Sequence, residues 1–383
     1  MKGARARVAS PIDRRTLNRT LLARQLLLDR VGMPALDAIE HLVGLQAQAP
    51  RAPYVALWSR LVDFQPAELE CLIRDRAAVR ALALLRTTIH LVSAADALGM
   101  RGVLQDVAER GFRSGSPFAR QLGEIDLDAV IAVGRQALER QPLTVVQLAK
   151  VLATDWPDKD PTALAMAVRY LVPLVQPPPR GLWAENSRPT MAPLDQWLGR
   201  PIPTAPAPDE LVLRYLRAFG PASVADIAAW SWLTGVREIV DRLRPRLRVV
   251  RDDAGRDLFD IEDGELADAD VPAPPRFLPE YDNILLSHAD RSRIWPAGWQ
   301  MPLAPGDGAR LGTLLVDGFA AGTWRISLGG EREAPAILTI EPIAALGDAG
   351  EEAVASEARA LATFLAPGRL VDLRFEPPSV PAG

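Results

Sequence analysis

Leu247-Arg248-Val249-Val250, then Asp252-Asp253-Ala254-Gly255, then Leu258-Phe259-Asp260-Ile261 reads as two short strands joined by a polar turn. Apolar and β-branched runs on either side of an Asp-rich, Gly-ended loop are a hairpin signal. Working upstream, Pro208–Phe219 has the spacing of an amphipathic helix that Gly220 stops. Ala222–Trp230 is a second helix, capped near Ser223, and Val236–Leu243 a third. Helix-turn-helix followed by a hairpin is the outline of a winged helix.

The same order recurs twice more. Asp126–Gln141, Thr144–Ala153 and Pro161–Leu171 read as three helices, and Val172–Gln176 and Thr190–Pro193 as wing strands around the loop Pro177–Gly181. Pro142–Ala149 aligns with Pro221–Ala228 at the start of the second helix of each copy. A weaker copy comprises Leu17–Leu28, Pro34–Val43, Pro66–Asp75 and the strands Ala81–Arg86 and Thr88–Val92. The competing reading is an all-α body with short hairpins. Pro201–Pro208 reads as a linker. Beyond the proline-rich stretch 271–275, Leu311–Val316, Ala320–Leu328 and Ala336–Pro342 read as strands, followed by helix Glu351–Leu365 and strand Leu370–Phe375. The expected organisation is α+β: winged helices over 1–124, 125–200 and 208–270, and a β-rich, barrel-like domain over 276–383.

The chain has 383 residues, 48% of them hydrophobic, ample for a core. No run approaches the roughly 20 apolar residues that span a bilayer, and the basic start Met1–Arg7 lacks the apolar stretch of a signal peptide. The lone Cys71 excludes an internal disulfide and fits a reducing cytoplasm. Three scattered histidines offer no zinc spacing, so no metal or cofactor is expected. The net charge is −4, yet residues 1–124 carry 18 Lys/Arg against 12 Asp/Glu. A positive first third opposite an acidic remainder suits a one-sided phosphate-binding face.

One segment stands apart chemically. Gly44-Leu45-Gln46-Ala47-Gln48-Ala49-Pro50 follows a helical run and is forced out of it by proline. Side chains two apart diverge on a helix but share a side in an extended segment. Gln46 and Gln48 then aim into one cavity and can hold a water without carrying charge. The bland reading is a solvated helix end.

Together with Arg86-Thr87-Thr88-Ile89-His90-Leu91-Val92, the block from Leu278 to His288 and the block from Val316 to Trp324, this segment resembles the AlkZ-like winged-helix DNA glycosylases. The resemblance covers essentially the whole chain, with the blocks in the family's order. It implies three winged helices around a DNA channel, a C-terminal β-domain and removal of alkylated purines. Some members unhook interstrand crosslinks made by DNA-alkylating natural products, which implies self-resistance. Gln46-Ala47-Gln48 matches the two-glutamine form of the family's catalytic signature.

The chemistry is consistent with that implication. A guanine alkylated at N7 is already cationic and leaves as a neutral base, so no general acid is required. Two carboxamides can position a water and turn carbonyl dipoles toward an oxocarbenium-like sugar. They forgo a strong general base, worth roughly 10²–10⁴ in rate. The expected enzyme is therefore a monofunctional glycosylase for N7-alkylguanine, extending to N3-alkyladenine. Uracil and 8-oxoguanine are not expected substrates. No lysine lies near the motif, so no lyase step is expected.

The other candidates for contacting DNA or lining the channel are Arg51, Tyr54, Arg86, Thr88, His90 and Arg180, then Glu280, Tyr281, Asp282, Asn283, His288, Arg291 and Arg293. For each the alternative is a packing or surface role; for the 280–288 group it is a buried network. Double-stranded DNA bearing alkylated bases is the expected partner of a cytoplasmic, nucleoid-associated monomer. A winged-helix transcription regulator is the main alternative, and a non-catalytic binder of alkylated DNA the second. A pocket of aromatics for an extruded base is not evident, which implies processing of bulky adducts without full extrusion.

Overall fold

A computed structural model describes residues 11–204, 206–298, 311–328 and 334–378. The basic start Met1–Arg7 lies outside them. With 45% helix and 18% strand the chain is α+β. It divides into two compact units, named here for their place in the sequence. The central unit comprises the described residues of Gly32–Leu211 with Trp230–Gly235; the flanking unit comprises the described residues of Met1–Val31, Val212–Ala229 and Val236–Gly383.

In the central unit, five antiparallel strands form one sheet in the order β1-β3-β2-β4-β5: β1 (Leu45–Gln46), β2 (Ala78–Ala81), β3 (His90–Ser93), β4 (Leu174–Gln176) and β5 (Ala192–Pro193). The strands expected in two separate copies are therefore pooled, through pairing of Arg80 with Gln176 and of Ala81 with Val175. The expected strand Ala81–Arg86 begins three residues earlier and stops at Ala81. Ala83, Arg86 and Thr87 then take left-handed φ of 47°, 50° and 58°, which no ladder accommodates.

The helices Leu127–Arg140, Val145–Leu152 and Pro161–Leu171 start where local chemistry dictates. Asp126 accepts from the amides of Asp128 and Ala129. Thr144 and Gln147 form a reciprocal capping box. Asp160 accepts from Ala163 N at 2.6 Å, and Pro161 occupies the first helical position. Leu138, Leu148, Leu152, Leu164 and Val168 are buried, and Gly134 lets its helix close on Val168.

Helices Asp209–Phe219 and Val224–Ser231, most of whose residues fall in the flanking unit, and Val236–Leu243 precede that unit's antiparallel hairpin of β6 (Leu247–Arg251) and β7 (Asp257–Ile261), near the expected bounds. The C-terminal strands are β8 (Arg276–Leu278), β9 (Gly312–Val316), β10 (Phe319–Leu328), β11 (Ala336–Pro342) and β12 (Val371–Phe375), in the order β12-β11-β10-β9-β8. Asp317-Gly318, with φ of 47° and 78°, makes the two-residue turn between β9 and β10. Among the described residues the expected barrel is not formed: this sheet is open. Helix Asp348–Leu365 carries the chain back so that β12 joins β11 in parallel as an edge. Its buried Val354, Ala358, Leu361 and Leu365 form its packed face.

Candidate functional site

The glutamine motif begins where a helix ends. Ala35–His41 stops as Val43 and Gly44 take φ of 57° and 89°. At Gly44 a Cβ would lie 2.5 Å from Val92 Cγ1, so the close approach to β3 needs glycine. β1 then pairs Leu45 with Leu91 and Gln46 with His90, and Ala47 N donates to Ile89 O at 2.8 Å. Pro50 and Pro53 turn the chain into helix Ala52–Trp58.

Residues directly opposite share a face of a sheet, and neighbours along a strand alternate. One face therefore carries the row Gln46, His90, Ala81, Val175, and the other the row Leu45, Leu91, Arg80, Gln176. The first row bears no charge at neutral pH. His90 is buried, and burial, with the nearby Arg86, lowers its pKa to about 3. Its Nδ1 lies 3.4 Å from the Thr88 hydroxyl, which donates to Leu85 O at 3.1 Å. Gln46 is 7% exposed and Gln48 is exposed.

The second row supplies a support the sequence reading missed. Arg80 is 2% exposed and forms no ion pair among the described residues; its Nη2 donates to Ala47 O at 2.7 Å and to Gln176 Oε1 at 3.2 Å. Burial, with repulsion from Arg180, lowers its pKa to about 10. It remains cationic near neutrality. Gly181, at φ 94°, lies against it, and a Cβ there would overlap Arg80 Cδ. A lone arginine in the apolar run 77–85 was the available signal, because a fully buried arginine must have acceptors.

The remaining central candidates surround this scaffold. Tyr54 is fully buried and donates to Gly181 O at 2.8 Å, its ring 4.9 Å from that of Trp183. Burial raises its phenol pKa. Arg51 is exposed, with its guanidinium 5.0 Å from the Trp183 ring centre. Arg180 is half-buried and donates to Ser187 O. Arg86, also half-buried, donates to Trp230 O at 3.1 Å.

In the flanking unit, Glu280 is half-buried, its carboxyl pKa raised by burial. Tyr281 has φ 59°, with burial raising its phenol pKa. Asp282 and Asn283 are buried, and Asp282 caps the turn Asn283–Leu285. His288 is buried with Nε2 3.2 Å from Phe219 O and Nδ1 2.9 Å from the Ser287 hydroxyl. A carbonyl can only accept, so Nε2 is assigned the proton. Buried Arg293 donates to Pro221 O at 2.7 Å, whereas Arg291 is exposed. His288 and Arg293 thus use their polar heads inside the unit.

Among the described residues, no three His, Cys, Asp or Glu are grouped to hold a metal, and no helix is long and apolar enough to cross a membrane.

A family model described as DNA glycosylase AlkZ-like matches residues 39–364. The chain is similar in structure to the Streptomyces sahachiroi DNA glycosylase AlkZ, with a TM-score of 0.70 at 19% identity, over 96% of this chain and 100% of that one. At that identity the likeness speaks for the fold alone. No curated protein sequence matches.

Proposed function

The chain belongs to the AlkZ-like DNA glycosylase family, and from that premise we propose that it hydrolyses the N-glycosidic bond of cationic alkylated purines in double-stranded DNA. N7-alkylguanine is the principal substrate, including bulky adducts and interstrand crosslinks, and the protein acts as a nucleoid-associated monomer in the cytoplasm. Its helix-and-hairpin segments serve as winged helices that grip the duplex. One observation carries the reading: the face that bears Gln46 is uncharged, with neutral His90 directly opposite. Such a face suits a leaving group that is itself cationic and has no use for a general acid.

The pairing of Ala47 N with Ile89 O extends the ladder one residue past β1. On our reading Gln46 and Gln48 turn to one side, as side chains two apart do in an extended segment. Their carboxamide oxygens accept from a water placed below C1′ and present dipoles to the developing oxocarbenium ion. As the C1′–N9 bond breaks, its electron pair passes to the purine, which departs neutral. Water adds at C1′, and its proton passes to solvent because a neutral carboxamide does not retain it. Arg80 keeps the backbone between the amides in place.

The test is excision by the purified protein from duplexes carrying one N7-methylguanine or one uracil, followed by alkali and a gel. Cleavage at methylguanine alone supports the reading; robust release of uracil overturns it. Borohydride should trap no protein on DNA, because the product is an abasic site in an intact strand.

A further inference from the structure

The central unit contains a cavity of about 480 Å³, lined by Thr87, Arg110, Ser116, Phe118, Tyr170 and Trp232 among others. That volume falls within the range of small-ligand sites, and the mixture of aromatic faces with a few polar groups is their usual lining. Among the described residues no carboxylate lines it. One wall is the π-helical turn Gly111–Gly115, a rare geometry that is frequent at functional sites.

Trp232 is the unusual member. It is 46% exposed, and its ring stacks on no other aromatic side chain among the described residues. It also sits at φ 59°, a conformation unfavourable for a bulky residue. Two arginines hold it there: Arg110 donates to its carbonyl at 2.8 Å, and Arg86 donates to the carbonyl of Trp230. A large apolar ring kept strained, half-bare and clamped at a cavity is arranged to receive something flat. The cavity is linked to the proposed reaction centre through the chain. Thr87, which lines it, is three residues before His90, the partner of Gln46 in the sheet, so the backbones of Thr87 and His90 are at most about 11 Å apart.

We propose that this cavity receives a flat aromatic ring of the damaged nucleotide, stacked on Trp232. The inference rests on the glycosylase reading above. Two sources supply such a ring: the alkylated purine, extruded from the duplex, and an aryl substituent carried by a bulky adduct. Arg110 spends a donor on the Trp232 carbonyl, and the described lining offers no second cation, which disfavours a phosphate as the occupant.

The test uses binding, so that it is independent of turnover. Duplexes carrying guanine, N7-methylguanine or N7-benzylguanine on a 2′-fluoroarabino sugar, which resists hydrolysis, are titrated into the full chain, its Trp232→Ala variant and its Trp232→Phe variant. The wild type should prefer a modified duplex over the unmodified one. Trp232→Ala should lose about tenfold in that preference, the size of one aromatic stack, and Trp232→Phe should restore most of it. Loss on both modified duplexes assigns the ring to the extruded purine; loss on the benzyl duplex alone assigns it to the adduct. Wild-type indifference to modification overturns the proposal. So does a Trp232→Ala variant that matches wild type on all three duplexes or weakens all three equally. Excision of N7-methylguanine from ordinary deoxyribose, measured alongside, judges the glycosylase reading separately.

Discussion

The guanidinium of Arg80 reaches past β3 and donates to the carbonyl of Ala47, the residue between the two glutamines, at 2.7 Å. A buried arginine without a carboxylate is costly, and here its compensation comes from carbonyl and amide acceptors. The cation thereby holds the backbone between the two glutamines. The face carrying Gln46 itself stays neutral.

Arg80→Met should therefore slow single-turnover excision of N7-methylguanine by roughly 10²-fold, the scale of an ångström's misplacement. Duplex affinity should stay within about threefold. Arg80→Lys should recover only part of the rate, because a point charge cannot reproduce the fork. A wild-type rate in Arg80→Met would remove Arg80 from the positioning role.

Gln46→Ala and Gln48→Ala should each reduce excision by roughly 10², as for the loss of one transition-state dipole. Gln48 is exposed, so its substitution should leave the denaturation midpoint nearly unchanged. A double variant that excises at the wild-type rate would end the assignment.

Gly181→Ala adds a Cβ at φ 94° against Arg80 Cδ. Strain and displacement together should cost about 1–3 kcal/mol of stability, read as a lowered urea midpoint, and should slow excision. Combined with Arg80→Met, the kinetic losses should be less than additive, since both act on one contact.

His90 is neutral in the folded chain, with a pKa near 3, and burial also lowers that of His288. Unfolded imidazoles take up a proton near pH 6.5. Below that value the unfolded state binds more protons, so stability is full above about pH 6.5 and is lost as pH falls toward 3. Urea midpoints measured from pH 8 to 4 should fall below pH 6.5, and His90→Gln should flatten part of the slope.

Much of the helical layout was legible because its signals are local. Thr144 with Gln147 and Asp160 with Pro161 mark helix starts within four residues of sequence, and Asp317-Gly318 marks a hairpin within two. The strand near Ala81 was misplaced because 77–85 is a nearly unbroken apolar run, without the alternation that reveals register. The aromatic cavity was overlooked because Phe118, Tyr170 and Trp232 come from three distant segments.

The order of residues alone determined the helices, the hairpins and the uncharged Gln46-Ala47-Gln48 motif, because capping, turn conformation and amphipathic period act over a few residues. Folding in three dimensions decided the rest: that β2 and β4 share one sheet, that the C-terminal strands form an open sheet, and that Arg80 holds Ala47. Those outcomes depend on which distant groups can satisfy a buried donor or cover an apolar face, and no short stretch of chain contains both partners.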